Sequence, residues 1–185
     1  MKAMQIVSFD GPAGLRYQDA PAPEPGPGQI AVDVDYAGVG YVEALFAEGF
    51  VPLDLPWTPG LEVTGRVRAL GEGVGGYRVG DTVVALTITG GGGYGQVAVA
   101  QGELVTPLPA GLDPVLAAAV PANSTTALVA LEEIAHLRRG ESVLVHAAAG
   151  GLGSQMGQVA RLLGASRIVG VTRSEAKRQE ILDLG

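Results

Sequence analysis

One stretch of the sequence, residues 142–153, restricts the fold of this chain more than any other. It reads Ser-Val-Leu-Val-His-Ala-Ala-Ala-Gly-Gly-Leu-Gly, a short apolar run that leads directly into a turn of small residues. After the turn, apolar residues recur with helical spacing at Leu152, Met156, Val159 and Leu163. A strand, a glycine turn and a helix in this order are typical of sites that hold a dinucleotide pyrophosphate. The glycines let backbone N–H groups approach the phosphate oxygens, and the helix N-terminus adds a partial positive charge.

The turn departs from the G-x-G-x-x-G pattern at one position, because Ala148 replaces the first glycine. A degenerate glycine motif gains weight here because a second strand, predicted over 167–172, follows at the expected distance. We therefore predict that the cofactor-binding residues of the turn and helix start are Ala149, Gly150, Gly151, Leu152 and Gly153.

The end of the second strand predicts which dinucleotide binds. Sites selective for NAD carry an acidic residue about 20 residues after the glycines, where it accepts from the ribose 2′-OH. This chain has Arg173 and Ser174 there, followed by Lys177, and such groups suit a 2′-phosphate. The alternative is a solvated helix start, with Ser174 as N-cap and Glu175 in the first turn, and both interpretations can hold together. We predict a preference for NADP(H).

Residues 1–110 have the pattern of a β-rich region, in which a glycine run and a proline run stand out. Residues 90–93 are four consecutive glycines, which we interpret as a flexible hairpin tip. Prolines at alternate positions over 21–27 predict an extended connector. The short alternating or β-branched runs that we predict as strands are 4–9, 29–37, 61–70, 82–87 and 95–100.

Helical signals begin near residue 113. Asp113 followed by Pro114 predicts a helix start, and Asn123 or Ser124 is the predicted cap of a second helix that ends at 138–140. The elements after it alternate as strand, helix, strand, helix over 142–146, 152–163, 167–172 and 175–184. This change of pattern predicts two domains, over residues 1–115 and 116–185.

Composition excludes several classes of protein. The 185 residues carry a net charge of −7 with only 12 Lys and Arg, which disfavours a nucleic-acid partner. The absence of Cys excludes disulfides and thiolate metal sites. We find no signal peptide and no apolar run near the roughly 18 residues of a membrane span, so we expect a cytoplasmic protein without a membrane partner.

Several segments, in the same order along the chain, resemble those of one superfamily. The turn over 147–153 resembles the A-A-x-G-G-x-G turn of the zinc-free medium-chain dehydrogenases/reductases, in their quinone oxidoreductase (zeta-crystallin-like) group. The other segments that resemble this group are 59–65 (P-G-x-E-x-x-G), 77–83 (x-x-x-G-D-x-V), 93–97 (G-x-Y/F-A-E-x, with Gly95 and Gln96 as departures) and 121–127 (P-x-x-x-x-T-A).

The resemblance implies an α/β plus β fold. A GroES-like β-rich domain is followed by the first βαβα part of a Rossmann doubly wound nucleotide-binding domain. It places Asn123 and Thr126 beside the nicotinamide amide. It also implies a longer protein whose later segments complete both domains and which forms a homodimer. Since a doubly wound domain has about six parallel strands and this chain supplies two, we expect the chain by itself to be inactive.

The residues argue against a catalytic zinc. The zinc-dependent relatives use a Cys and the His of a G-H-E segment, and here that segment reads Gly60-Leu61-Glu62. The two histidines have no partner at ligand spacing. We expect His136 at an exposed helix end. For His146, at the end of a buried strand, we expect a role in packing or in a local hydrogen bond.

The substrate region also departs from the family. The resembled segment A-G-V-N-x-x-D/E-x-Y-x-R-x-G-x-Y has Gly40 at its Asn, and Leu45 and Phe50 at its two Tyr positions. Tyr41 is the remaining phenol, either a low-ranked proton donor or a half-buried aromatic with a surface hydroxyl. We predict an apolar substrate pocket formed by Gly40, Leu45, Phe50, Trp57 and Tyr94.

Three functions agree with these observations. The first is an NADPH-dependent, zinc-free oxidoreductase that reduces quinones or α,β-unsaturated carbonyls, with a small apolar substrate. The second is a non-catalytic NADP-binding, crystallin-like protein. The third is an inactive fragment. Fold alone does not separate them.

Overall fold

The computed structural model describes residues 1–184 and divides into two compact units, Met1–Pro121 and Ala122–Gly185. The described strands are β1 (Lys2–Ile6), β2 (Leu15–Asp19), β3 (Gln29–Ala37), β4 (Glu62–Leu70), β5 (Thr82–Leu86), β6 (Val97–Gln101), β7 (Val105–Pro107), β8 (Ser142–His146) and β9 (Arg167–Val171). The α-helices are α1 (Tyr41–Ala47), α2 (Pro114–Ala117), α3 (Pro121–Leu128), α4 (Gly151–Leu162) and α5 (Arg178–Asp183). A π-helical segment, Val129–Ile134, continues α3.

The first unit is built on an antiparallel sheet of five strands, in the order β6-β3-β4-β5-β7. A separate antiparallel pair, β1 and β2, lies outside this sheet. Alternating β-branched residues give the five-stranded sheet one face that is removed from water. Its core consists of Ile30, Val32, Val63, Val67, Val83, Ala85, Ala100 and Val105.

The second unit contains one parallel strand pair, β8 and β9, in which His146 lies opposite Val171. Helix α4 connects the two strands and packs its apolar stripe on them, as its sequence period predicts. The buried residues of this unit's core are Ala127, Leu131, Val159 and Ala160. The alternation of strand and helix over 142–184 is as predicted, and β8 has the predicted bounds.

Three elements were not predicted. Strand β2 is mostly exposed and shows no apolar alternation, and β7 has only three residues. Helix α1 has seven residues and begins after Gly40, which has no side chain to cap it. Instead, the Glu43 carboxylate accepts from the Gly40 N–H at 3.0 Å.

Two helix predictions have different outcomes. Asp113 caps α2 as predicted, since its side chain accepts from the Val115 N–H at 2.9 Å. The predicted cap of the next helix at Asn123 or Ser124 is wrong, because α3 already begins at Pro121. Its predicted end at 138–140 is also wrong, because regular helix stops at Ile134 and His136 adopts a positive φ of 50°.

Within the glycine run, the residues after Gly90 are packed into the first unit, which differs from the flexible tip that we expected. Gly91 and Gly93 are buried, and the N–H of Gly92 donates to the Thr58 carbonyl at 2.8 Å. A Cβ at Gly91 would lie 2.5 Å from the Trp57 ring, at a φ of +72° that side chains rarely adopt. The turn therefore needs glycine for close packing as well as for its backbone conformation.

Candidate functional site

A cleft of about 490 Å³ opens at the carboxyl end of β8 and β9, within the second unit. In open α/β sheets this end of the strands is where ligands bind. The residues that line the cleft are His146, Ala147, Ala149, Gly150, Val171, Thr172, Arg173, Ser174 and Lys177.

The turn after β8 forms one wall of the cleft. Ala147 adopts a left-handed conformation with φ of 51°, and its carbonyl accepts from the Gly150 N–H at 2.8 Å. The Ala148 N–H donates to the Val171 carbonyl at 3.0 Å, which ties the turn to β9. Helix α4 then begins at Gly151, so its first N–H groups and its partial positive charge lie at this turn.

The structure explains why the last residue of the motif, Gly153, must be a glycine. A Cβ at this position would lie 2.3 Å from the Ala147 carbonyl oxygen and 2.8 Å from the Ala148 Cα. These are backbone atoms of the turn itself, so a side chain at 153 would push the helix away from the turn. The predicted residues Gly151, Leu152 and Gly153 thus form the helix start, while Ala149 and Gly150 line the cleft directly.

The opposite wall carries the basic residues. Arg173, Ser174 and Lys177, all predicted, line the same cleft. Ser174 is the N-cap of a short 3₁₀ turn, Glu175–Lys177, yet its side chain makes no capping hydrogen bond. Ser174 therefore lies at a helix start, as the alternative interpretation of the sequence predicted, but its hydroxyl does not cap that helix.

Asn123 is the third residue of α3 and lies in its first turn, whereas Thr126 lies further along the helix. The Asn123 amide nitrogen lies 3.1 Å from where a Cβ of Gly151 would be, so Asn123 packs against the start of α4. The Thr126 hydroxyl donates to the Ala122 carbonyl at 2.7 Å, within its own helix.

The cleft has four lining residues that were not among the predicted cofactor-binding residues: His146, Ala147, Val171 and Thr172. Of the two roles expected for His146, packing inside the unit is wrong, because the residue is exposed. The signal was available in the alternation of β8: Val145 is buried, so the next residue faces the opposite side of the strand pair.

The first unit has its own cleft, of about 400 Å³, in which Trp57 is the only predicted pocket residue. Trp57 packs edge-on against Phe46, with ring centroids 5.4 Å apart. The cleft is also lined by Pro21, Pro23 and the turn at 90–92.

The structure does not bring the other predicted pocket residues to this cleft. Tyr41 and Phe50 are 78% and 77% exposed, so the expectation that Tyr41 is half-buried is wrong. Leu45 is partly buried on α1, and Gly40 precedes that helix.

Tyr94 has an unusual environment in the first unit. Its hydroxyl oxygen is buried and has no hydrogen-bond partner among the described residues. Burial and the nearby carboxylates of Glu43 and Glu62 raise the pKa of Tyr94 above its ordinary value near 10. The side chain therefore stays a neutral phenol throughout the physiological range.

Residues 1–184 contain neither a cluster of metal-binding side chains nor a membrane-spanning helix. No group of three or more His, Cys, Asp or Glu side chains lies together in a way that could hold a metal ion. None of the helices in this part of the chain has the length and apolar character to cross a membrane.

Comparison with known proteins gives a consistent result. Residues 26–110 match the alcohol dehydrogenase GroES-like domain. The chain is 36% identical over 188 residues to quinone oxidoreductase of Rattus norvegicus, covering 100% of this chain and 56% of that protein. It thus spans about half the length of the curated relatives it matches.

Solved structures agree with the sequence relatives. A human synaptic vesicle membrane protein VAT-1 homolog-like protein superposes with a TM-score of 0.92 at 34% identity, covering 100% of this chain and 59% of that one. A mycobacterial protein solved in complex with NADPH superposes with a TM-score of 0.90 at 33% identity, covering 100% and 57%.

Fold and site together define a GroES-like domain followed by the start of a Rossmann nucleotide-binding domain. Over its whole length the chain is similar to proteins of the medium-chain dehydrogenase/reductase superfamily, among them the quinone oxidoreductases.

Proposed function

We propose that the cleft of the second unit binds NADPH and that the whole protein uses it to reduce quinones or α,β-unsaturated carbonyls. The observation that carries this proposal is the cleft itself, where a glycine turn at a helix start faces Arg173, Ser174 and Lys177. The NADPH complex of the mycobacterial relative supports the choice of cofactor.

The residues of the cleft fit the two charged parts of such a cofactor. The first backbone N–H groups of α4, at Gly151 and Leu152, suit a pyrophosphate, because N–H groups at a helix start have no partner within the helix. Arg173 and Lys177 suit a 2′-phosphate, because both are cations and the lining of the cleft contains no carboxylate.

When bound, NADPH would supply a hydride, which adds two electrons to the acceptor. The proton that completes the reduction would come from solvent, from Tyr41 or from the ribose hydroxyls. The chain's own residues hold the phosphates and orient the dinucleotide at the carboxyl end of β8 and β9. We propose no zinc, since Leu61 stands at a ligand position and the chain has no Cys.

The first experiment measures NADPH and NADH affinity by titration calorimetry. We expect NADPH to bind more tightly. Arg173→Ala should weaken NADPH binding by about 1–3 kcal/mol, because a charge-assisted hydrogen bond is lost, and should leave NADH binding nearly unchanged. Arg178→Ala is the matched control, since Arg178 lines a different groove and lies 3.9 Å from Glu175. Equal affinities for the two cofactors in the unsubstituted chain would contradict the proposal.

The second experiment tests the source of the proton in the whole protein. Because Tyr41 is exposed, we expect Tyr41→Phe to lower kcat by less than about tenfold, well below the 10²–10⁴-fold loss expected for a general acid. A larger loss would make Tyr41 the proton donor. Oxidation of simple secondary alcohols without reduction of quinones or enones would refute the proposed reaction.

A non-catalytic NADP-binding protein is the second candidate. It is favoured by the positions of Tyr41 and Phe50, which are exposed and lie outside the cleft that contains Trp57. NADPH binding without oxidation by any quinone or enone would favour this candidate. A homodimer and a cytoplasmic location remain predictions from the resemblance and the composition.

A further inference from the structure

His146 stands where a strand enters the dinucleotide cleft. It is the last residue of β8, and its exposed side chain faces the opposite side from buried Val145. In the parallel pair it lies opposite Val171, the last residue of β9. Since Thr172 and Arg173 follow Val171 directly, His146 lines the same cleft as the segment that carries the basic residues.

The charged side chains that line the cleft together with His146 are both cations. Arg173 and Lys177 reach the cleft from the segment after β9, and the start of α4 adds the partial positive charge of its N-terminus. The turn that leads into α4 is uncharged. The acidic residue nearest in sequence to Arg173 and Lys177 is Glu175, which lies 3.9 Å from Arg178 and lines a neighbouring groove.

We propose that the His146 imidazole is a third cationic group for the 2′-phosphate of the dinucleotide, and that it makes the preference for the phosphorylated cofactor depend on pH. This inference rests on the proposed NADPH site and names a residue of that site. An imidazole is the ordinary side chain that changes charge between pH 5 and 8, and an anion at short range favours its protonated form. Binding of a 2′-phosphate therefore draws a proton onto His146.

The test compares two probes, 2′,5′-ADP and 5′-AMP, on the chain and on His146→Gln. The glutamine keeps a polar side chain and removes the charge. We expect the unsubstituted chain to bind 2′,5′-ADP about three- to tenfold more tightly than the variant at pH 6, with the ratio approaching one at pH 8. For 5′-AMP the ratio stays near one at both pH values.

Comparing the two proteins at each pH is necessary because a phosphate monoester itself takes up a proton near pH 6. This effect is common to both proteins and cancels in the ratio. A ratio for 2′,5′-ADP that stays constant from pH 6 to pH 8 overturns the inference.

A second measurement needs no variant. The chain has two histidines, and His136 lies outside the cleft, so it is an internal reference for imidazole proton NMR. We expect 2′,5′-ADP to move the titration midpoint of His146 upward and to leave that of His136 unchanged.

Two outcomes distinguish a failure of the inference about His146 from a failure of the proposed NADPH site. If 2′,5′-ADP shifts the amide signals of Gly150 and Gly151 while the His146 midpoint stays unchanged, the inference is wrong and the NADPH site stands. If neither 2′,5′-ADP nor NADPH binds the chain, both proposals are wrong.

Discussion

The two units of the chain bury their strands to different degrees. In the five-stranded sheet, core residues such as Ile30 and Val63 have no exposed surface. In the parallel pair, Leu144 is 59% exposed and Val171 40%, so one face of β8 and β9 meets water. Parallel strands are ordinarily covered on both faces. The first unit therefore gains stability from a well-packed core, whereas the second presents backbone and cations at the ends of thinly packed strands.

The largest expected effect tests this difference in packing. Ile30→Ala removes a fully buried side chain and should lower the free energy of unfolding of the first unit by about 2–5 kcal/mol. Leu144→Ala, in the exposed face of β8, should change local stability by less than about 0.5 kcal/mol. The single tryptophan, Trp57, reports urea unfolding of the first unit, and amide hydrogen exchange in β8 reports on the second. Similar losses from the two changes would contradict the comparison.

A smaller effect concerns the run of four glycines at residues 90–93 of the first unit. Gly91→Ala should destabilise this unit by about 1–3 kcal/mol, because the new Cβ meets the Trp57 ring and the backbone conformation is left-handed. Gly90→Ala is the matched control, since nothing lies within 4 Å of its Cβ position. Urea unfolding followed by Trp57 fluorescence measures both. Equal behaviour of the two variants would mean that the turn is mobile after all.

The smallest effect concerns the Tyr94 hydroxyl. Because this buried group has no partner, Tyr94→Phe should stabilise the first unit at neutral pH by about 1 kcal/mol. Tyr77→Phe is the contrasting variant: the Tyr77 hydroxyl donates to the Val105 carbonyl, so its removal should destabilise by a similar amount. Urea unfolding of both variants distinguishes the two signs.

Because its pKa is raised, Tyr94 makes the free energy of unfolding of the first unit depend on pH. The unfolded chain loses this proton near pH 10, while the folded chain retains it to higher pH. The folded state thus binds more protons above pH 10, and its stability falls there by up to about 1.4 kcal/mol per pH unit from this group. The free energy of unfolding of Tyr94→Phe should fall less steeply above pH 10. Parallel curves would show that Tyr94 ionises alike in both states.

The sequence predicted best where one pattern governs several residues together. β8 was predicted at its observed bounds, and α4 to within a residue, because apolar spacing and glycines agree there. The cleft residues Arg173, Ser174 and Lys177 were predicted because strand order places them beside the glycine turn.

Other features depend on tertiary contacts that no local pattern specifies. The packed turn at Gly91 depends on Trp57, which lies in a distant part of the sequence. Tyr41 is exposed at the start of α1, a helix of seven residues. This helix is capped by the Glu43 carboxylate, which accepts from the N–H of Gly40, three residues earlier in the sequence. His146 was misplaced because a strand end was taken to be buried on both faces.

The left-handed conformation of Ala147 affects how much conformational entropy the turn would lose if a phosphate bound there. A glycine at this position would sample many backbone conformations before a ligand arrived, and binding would have to select among them. Alanine has fewer conformations, and the bonds of the turn to Gly150 and Val171 hold it in one of them. The conformational entropy of this residue is thus lost when the chain folds and not when a ligand binds. A phosphate that binds at this turn would therefore meet a loop already held in one conformation.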